Sequence, residues 1–180
     1  MKKLVMFFLI LSIVTGCNND LMNTPIKKVE TLFSNYITLD EGVIEDLNRV
    51  IMQETVMTPD QKDRYKKILK KQYQHLSYEI KDETIDGNLA TVLVEIEVYD
   101  YNKVIEEAED YLTANSEEFL LDNQNTDVSK FNDYKLDKLE NARDKITYTL
   151  NLTLNKENDT WVLDDLTDTE IKKIHGLYNY

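Results

Sequence analysis

The sequence predicts an α+β domain. It would be a curved antiparallel sheet of about four strands packed against N-terminal helices, with a helical insertion between strands two and three and a C-terminal helix. Three observations predict it. Apolar residues recur at helical spacing near both ends of the chain. Two pairs of segments alternate with period two, and a stretch of helical period separates the pairs. Strands with one polar face indicate an antiparallel sheet covered by helices on one side.

The first helix should begin at Thr24-Pro25, because Thr caps well and Pro at the first helical position loses no needed donor. Ile26, Val29, Leu32, Phe33 and Tyr36 follow at helical spacing. A short helix fits Val43–Glu54. Thr58-Pro59 repeats the start signal, and Tyr65, Ile68, Leu69 and Tyr73 carry a helix to about His75. Ser77–Asp82 then alternates, with Tyr78 and Ile80 on one side and Glu79 and Lys81 on the other. Asp86-Gly87 is a hairpin signal. Leu89–Tyr101 reads as a long strand with Ala90, Val92, Val94, Ile96 and Val98 inward, and Thr91, Glu95, Glu97 and Tyr99 opposite.

Asn102–Leu121 is helical, with Val104, Ile105, Ala108, Tyr111 and Leu112 on one stripe. Residues 122–129 form a polar loop, and Lys130–Ala142 a short charged helix. Lys145–Asn155 is the cleanest strand, placing Ile146, Tyr148, Leu150, Leu152 and Leu154 on one face. Lys156–Asp159 turns the chain into a partner strand over Thr160–Leu166. Thr167-Asp168-Thr169-Glu170 is a capping box for a last helix carrying Ile171, Ile174, Leu177 and Tyr178.

Composition sets limits on function. Of 180 residues, 34 are acidic and 21 basic, for a formal charge of −13, which argues against nucleic acid as a partner. A single Cys excludes an intramolecular disulfide framework and a Cys-based zinc cluster.

Residues 1–16 read as a processing segment. Lys2 and Lys3 precede an eleven-residue apolar run, Leu4–Val14, too short to span a bilayer of about 20 residues. Val14, Thr15 and Gly16 lead directly to Cys17. This resembles a bacterial lipobox, the recognition site of a lipoprotein signal peptidase. The resemblance implies that Cys17 becomes the first mature residue and that its sulfur carries a diacylglyceryl group, whose two (palmitate-type) acyl chains are about what stable anchoring requires. Residues 17–23 would then be the lipidated Cys and its tether, and 24–180 a single domain. The tether reaches no more than roughly 20 Å. The expected address is the extracytoplasmic face of the cell membrane of a Gram-positive bacterium.

The domain pattern is similar to the cystatin-like group that includes nuclear transport factor 2-like lipoproteins. The likeness rests on the lipobox, the amphipathic segment Pro25–Phe33, the hairpin with a long second strand, and a late pair ending in Asp159-Thr160-Trp161-Val162-Leu163. Stretch 102–143 and the last helix depart from that pattern. The resemblance implies a curved sheet that can leave a conical pocket, which some relatives use as isomerases or cyclases.

Chemistry in such a pocket needs polar residues on the core face. Tyr78 and Tyr148 are the candidates for ligand binding, since a buried hydroxyl can donate to an oxyanion. The plainer reading is two packed rings. Glu95, Glu97 and Glu79 could hold a metal, but Lys81 more simply pairs with one of them across the hairpin. His75 and His175 lie 100 residues apart without fixed acidic neighbours. The loop from Asp122 resembles a calcium loop only loosely, with Gln124 and Asp127 at unsuitable positions. No catalytic, metal or cofactor motif emerges.

One charge contrast remains. Lys62, Arg64, Lys66, Lys67, Lys70 and Lys71 crowd one helix, while 106–122 is acidic without a base. That helix could face a membrane or an anionic wall polymer, or offset the acidic insertion internally. The expectation is a non-enzymatic lipoprotein that binds a protein, wall-polymer or small-molecule partner through a sheet-lined pocket or its acidic surface. The alternatives are a small-pocket isomerase or cyclase, or an immunity-type protein acting by surface alone.

Overall fold

The computed structural model describes residues 22–122 and 124–179. The processing segment and Cys17 lie outside them. Three helices come first: α1 (Pro25–Thr38), α2 (Glu41–Gln53) and α3 (Pro59–Gln74). Strands β1 (Ser77–Asp86) and β2 (Leu89–Tyr99) follow, then α4 (Tyr101–Ala114), a 3₁₀ turn over Ser116–Phe119 and α5 (Val128–Glu140). The chain ends with β3 (Lys145–Glu157), β4 (Thr160–Leu163) and α6 (Asp168–His175). The predicted α+β class and the insertion between strands two and three are both present. The sheet is an open antiparallel meander in the order β1-β2-β3-β4.

Local chemistry accounts for most of the boundaries. Thr24 caps α1 by accepting from the Lys27 amide, and Thr58 and Thr167 form full capping boxes with Gln61 and Glu170. Such caps are each worth about 1 kcal/mol. In the β3–β4 turn Asn158 and Asp159 both have positive φ, the primed turn that matches strand twist.

Several expected boundaries are corrected. β1 runs on to Asp86, because a bulge at Lys81 lets pairing with β2 resume at Asp82. β2 stops at Tyr99 rather than Tyr101: the Asp100 carboxylate accepts from the Lys103 amide and starts α4 at once. Asp127 does the same for α5, which begins before Lys130. β4 is only four residues, and Asp164–Leu166 is irregular.

The inward faces of β2 and β3 are fully buried from Ala90 to Val98 and from Tyr148 to Leu154. Val29 and Phe33 of α1 lie on them, and α1 touches β1, β2 and β4. Burying each such side chain contributes roughly 1.5–3 kcal/mol, so this seam dominates stability. α3 bridges α1, α2, α5 and α6. The insertion leaves and returns at one point, where the Asp100 amide donates to the Asp144 carbonyl at 2.9 Å. Tyr99, expected on the polar face, is buried; the Tyr101 ring stacks on it and the Lys71 ammonium lies 5.0 Å from its centre.

Candidate functional site

Tyr78 and Tyr148 fall on one cross-strand row, with Ile96 between them. The row does not present two hydroxyls to a cavity. The half-buried Tyr78 ring stacks on Phe33 at 4.7 Å, and the Tyr148 hydroxyl donates to the Tyr178 carbonyl at 2.8 Å. α1 therefore covers this part of the sheet, and packing dominates there.

The two histidines are far from equivalent. His75 is exposed at the C-cap of α3, and its Nδ1–H donates to the Lys71 carbonyl at 2.8 Å. His175 is buried, with Nε2 2.7 Å from the Tyr73 hydroxyl. Burial pulls its imidazole down to a pKa of about 4 and pushes the Tyr73 phenol well up. Both groups are therefore neutral at physiological pH.

Two buried amides of α3, Gln72 beside His175 and Gln61 near the start of the helix, were not singled out from the sequence. Gln72 accepts from the Tyr99 amide and donates to the Tyr99 and His175 carbonyls, each at 2.9 Å. Gln61 donates to the Ser129 carbonyl and the Asp133 carboxylate while its oxygen accepts from the Thr58 amide. A signal was present: Gln61, Tyr65, Ile68 and Gln72 recur at four- and three-residue spacing, so both amides belong to the apolar stripe. Gly176 closes the network. Its φ is +70°, and a Cβ there would sit 2.1 Å from the Tyr99 carbonyl oxygen.

On the outer sheet face the carboxylates meet lysines. Lys81 reaches Glu79 at 2.6 Å and Glu95 at 3.2 Å, the second being the expected pairing across the hairpin; Lys145 reaches Glu97 at 2.7 Å. Among the described residues no group of three or more His, Cys, Asp or Glu could hold a metal ion. The Asp127 carboxylate is committed to capping α5.

A recess with cationic lining lies elsewhere. A cleft of about 470 Å³ lies between α4, α5 and the chain entering β3. Tyr111 and Tyr134 stack in its wall at 4.8 Å. Lys103, Lys138 and Arg143 line it against Glu107 and Asp144. Lys103 is 2.7 Å from Asp144 and holds its carboxyl below the ordinary range. Lys138 lies over the Tyr134 ring, and Arg143 donates to the Ala142 carbonyl. Among the described residues neither makes an ion pair. A second cleft, about 460 Å³, is lined by Asp40, Asp46, Asp164 and Asp165. Three of these are engaged: Asp40 caps α2, Asp46 pairs with Arg49, and Asp164 accepts from Thr153 and Asn155.

No family model matches this chain, and no curated protein matches it. Among solved structures it is similar to a candidate lipoprotein (ycdA) from Bacillus subtilis subsp. subtilis str. 168, at 14% identity and a TM-score of 0.40. The likeness covers 84% of this chain and 47% of that one, so this chain spans about half that neighbour's length. Likeness at that identity transfers no activity. Among the described residues no helix is long and apolar enough to cross a membrane.

Proposed function

We propose that this chain is a non-enzymatic lipoprotein, held on the extracytoplasmic face of a Gram-positive cell membrane by lipid on Cys17, that binds an anionic ligand in the α4–α5 cleft. One observation carries the address: Lys2-Lys3, the apolar run Leu4–Val14, and Val14-Thr15-Gly16 stand immediately before the chain's only Cys. Short reach to the membrane agrees with the position of Asn23. Its side chain donates to the Asp159 carbonyl at 2.7 Å and accepts from the Trp161 amide at 2.9 Å, so the folded part begins within six residues of Cys17.

Binding rather than catalysis is favoured by the engagement of the Tyr148 hydroxyl and by the cations of the cleft, which suit a carboxylate or phosphate. Its volume falls in the usual range of small-molecule sites. An isomerase or cyclase would need an inward acid or base beside Tyr78 or Tyr148. Neither His75 nor His175 supplies one, the first being exposed and the second bonded to Tyr73.

Metabolic labelling with a radioactive fatty acid tests the address. The wild-type chain should take up label and partition with membranes, and Cys17→Ala should do neither. Equal labelling of the two, or no labelling in a host that labels its own lipoproteins, would sink the proposal.

A further inference from the structure

The basic face of α3 divides into two sets. Arg64 turns inward to α5, where its Nε lies 2.9 Å from Glu140 and its Nη atoms meet Asp133 and Asp137; Lys71 donates to the Glu140 carbonyl at 2.9 Å. Internal offset of charge is thus real but limited to these two. Lys62, Lys66, Lys67 and Lys70 are fully or partly exposed and, among the described residues, make no ion pair and no side-chain hydrogen bond. That is unexpected in a chain of charge −13, where carboxylates outnumber bases. The acids of α5 closest to α3 all converge on Arg64, and Asp60 and Asp63 on α3 itself do not close on the lysines.

Lys62, Lys66 and Lys70 recur every fourth residue and therefore share one face, with Lys67 beside them. Four helical residues rise about 6 Å. The face thus carries a slightly inclined row of lysines that step about 6 Å along the helix axis and span about 12 Å of it. A matching ligand is linear and carries one negative charge per similar interval. Duplex DNA is far denser, at about one charge per 1.7 Å. A chain of phosphodiesters joined by short polyol units has the sparser spacing. The bilayer is the less suitable anion by position. The Lys70 end of the row is placed by Gln72, two residues on, which bonds Tyr99, and Asn23 is fixed beside the opposite end of the sheet, where Leu89 pairs with Asn155 and Asn155 with Val162. The eleven residues of β2 separate these ends by roughly 33 Å.

We propose that the row Lys62-Lys66-Lys70, flanked by Lys67, docks a linear phosphodiester polyanion outside the membrane. The row requires no lipid on Cys17, so it stands or falls separately from the anchor. The test uses the full chain in neutral detergent and a synthetic poly(glycerol phosphate) as the probe. Wild type and Cys17→Ala should bind equally, with a log–log salt slope of about −2. Lys62→Ala/Lys66→Ala/Lys70→Ala should weaken binding at least about tenfold, and the corresponding triple Arg variant should restore it. Lys28→Ala/Lys172→Ala, which removes charges elsewhere, should change little. Unaltered thermal unfolding of the triple Ala variant would exclude misfolding as the cause. Absence of binding, equal weakening by the control pair, or tighter binding to phosphatidylglycerol vesicles than to the polymer would overturn the proposal.

Discussion

His175 places a titratable ring where its charged form is disfavoured. Its folded pKa of about 4 lies below the ordinary value of 6.5, with burial as the cause. The unfolded chain therefore takes up a proton first as pH falls. The stability this group contributes is complete above about 6.5 and is lost between there and about 4, up to about 3 kcal/mol. Acidification also relieves repulsion among the carboxylates, which acts in the opposite sense. The difference between wild type and His175→Gln isolates the histidine. The gap between their urea midpoints should shrink as pH is lowered from neutrality to about 4.5. A gap that stays constant would show that the buried imidazole is not the linked group. Gln72 belongs to the same network, and its role was hidden because an amide on an apolar stripe looks like any polar interruption. Only the backbone groups of Tyr99 and His175 that it meets, 27 and 103 residues away, explain it.

At the scale of elements, α3 and α5 are joined by two devices of different character. Arg64 is part-exposed and its partners Asp133, Asp137 and Glu140 more so, and exposed ion pairs contribute at most about 1 kcal/mol each. Gln61 is buried, and its loss leaves the Thr58 amide and the Ser129 carbonyl without the partner that ties α3 to α5. Arg64→Leu should lower stability by about 1 kcal/mol at low salt and less at high salt. Gln61→Leu should lower it by about 1–2 kcal/mol with little dependence on salt. Urea unfolding at two ionic strengths separates them, and a salt-independent Arg64 effect would contradict the assignment. The elements most legible in the sequence carry their own local signals. Thr24-Pro25, Thr58-Pro59 and the Thr167 box start helices, and β3 alternates from Lys145 to Asn155 and two residues beyond. The insertion was less legible because its starts depend on Asp100 and Asp127. An aspartate reads equally well as a loop residue until its carboxylate is seen on an amide.

Among the described residues the cleft proposed to bind an anion lies away from the sheet face that α1 covers. A domain of this pattern suggests a cone, yet α1 seats Phe33 against Tyr78 there, and the cleft with free cations arises where the insertion folds back on itself. That recess could not be read from periodicity, since it depends on how α4 and α5 approach each other. Native mass spectrometry of the full chain in neutral detergent, prepared from its own host, should show an extra mass that denaturation removes. Lys138→Ala/Arg143→Ala should lack it. A bare wild-type protein, or an adduct retained by the variant, would move the binding site elsewhere.

Asn23 has a further meaning in mechanical terms. It fastens the chain ahead of α1 to β4, an edge strand of four residues held to β3 through Leu154–Glu157. Tension arriving from the N-terminal side is therefore borne first by two hydrogen bonds and a short hairpin that can unzip one rung at a time. Once the Asn23 bonds yield, the load passes directly into α1, which begins two residues on and packs on β1, β2 and β4. A protein dragged by its leading end would lengthen at this latch and recover when released, with its core still closed.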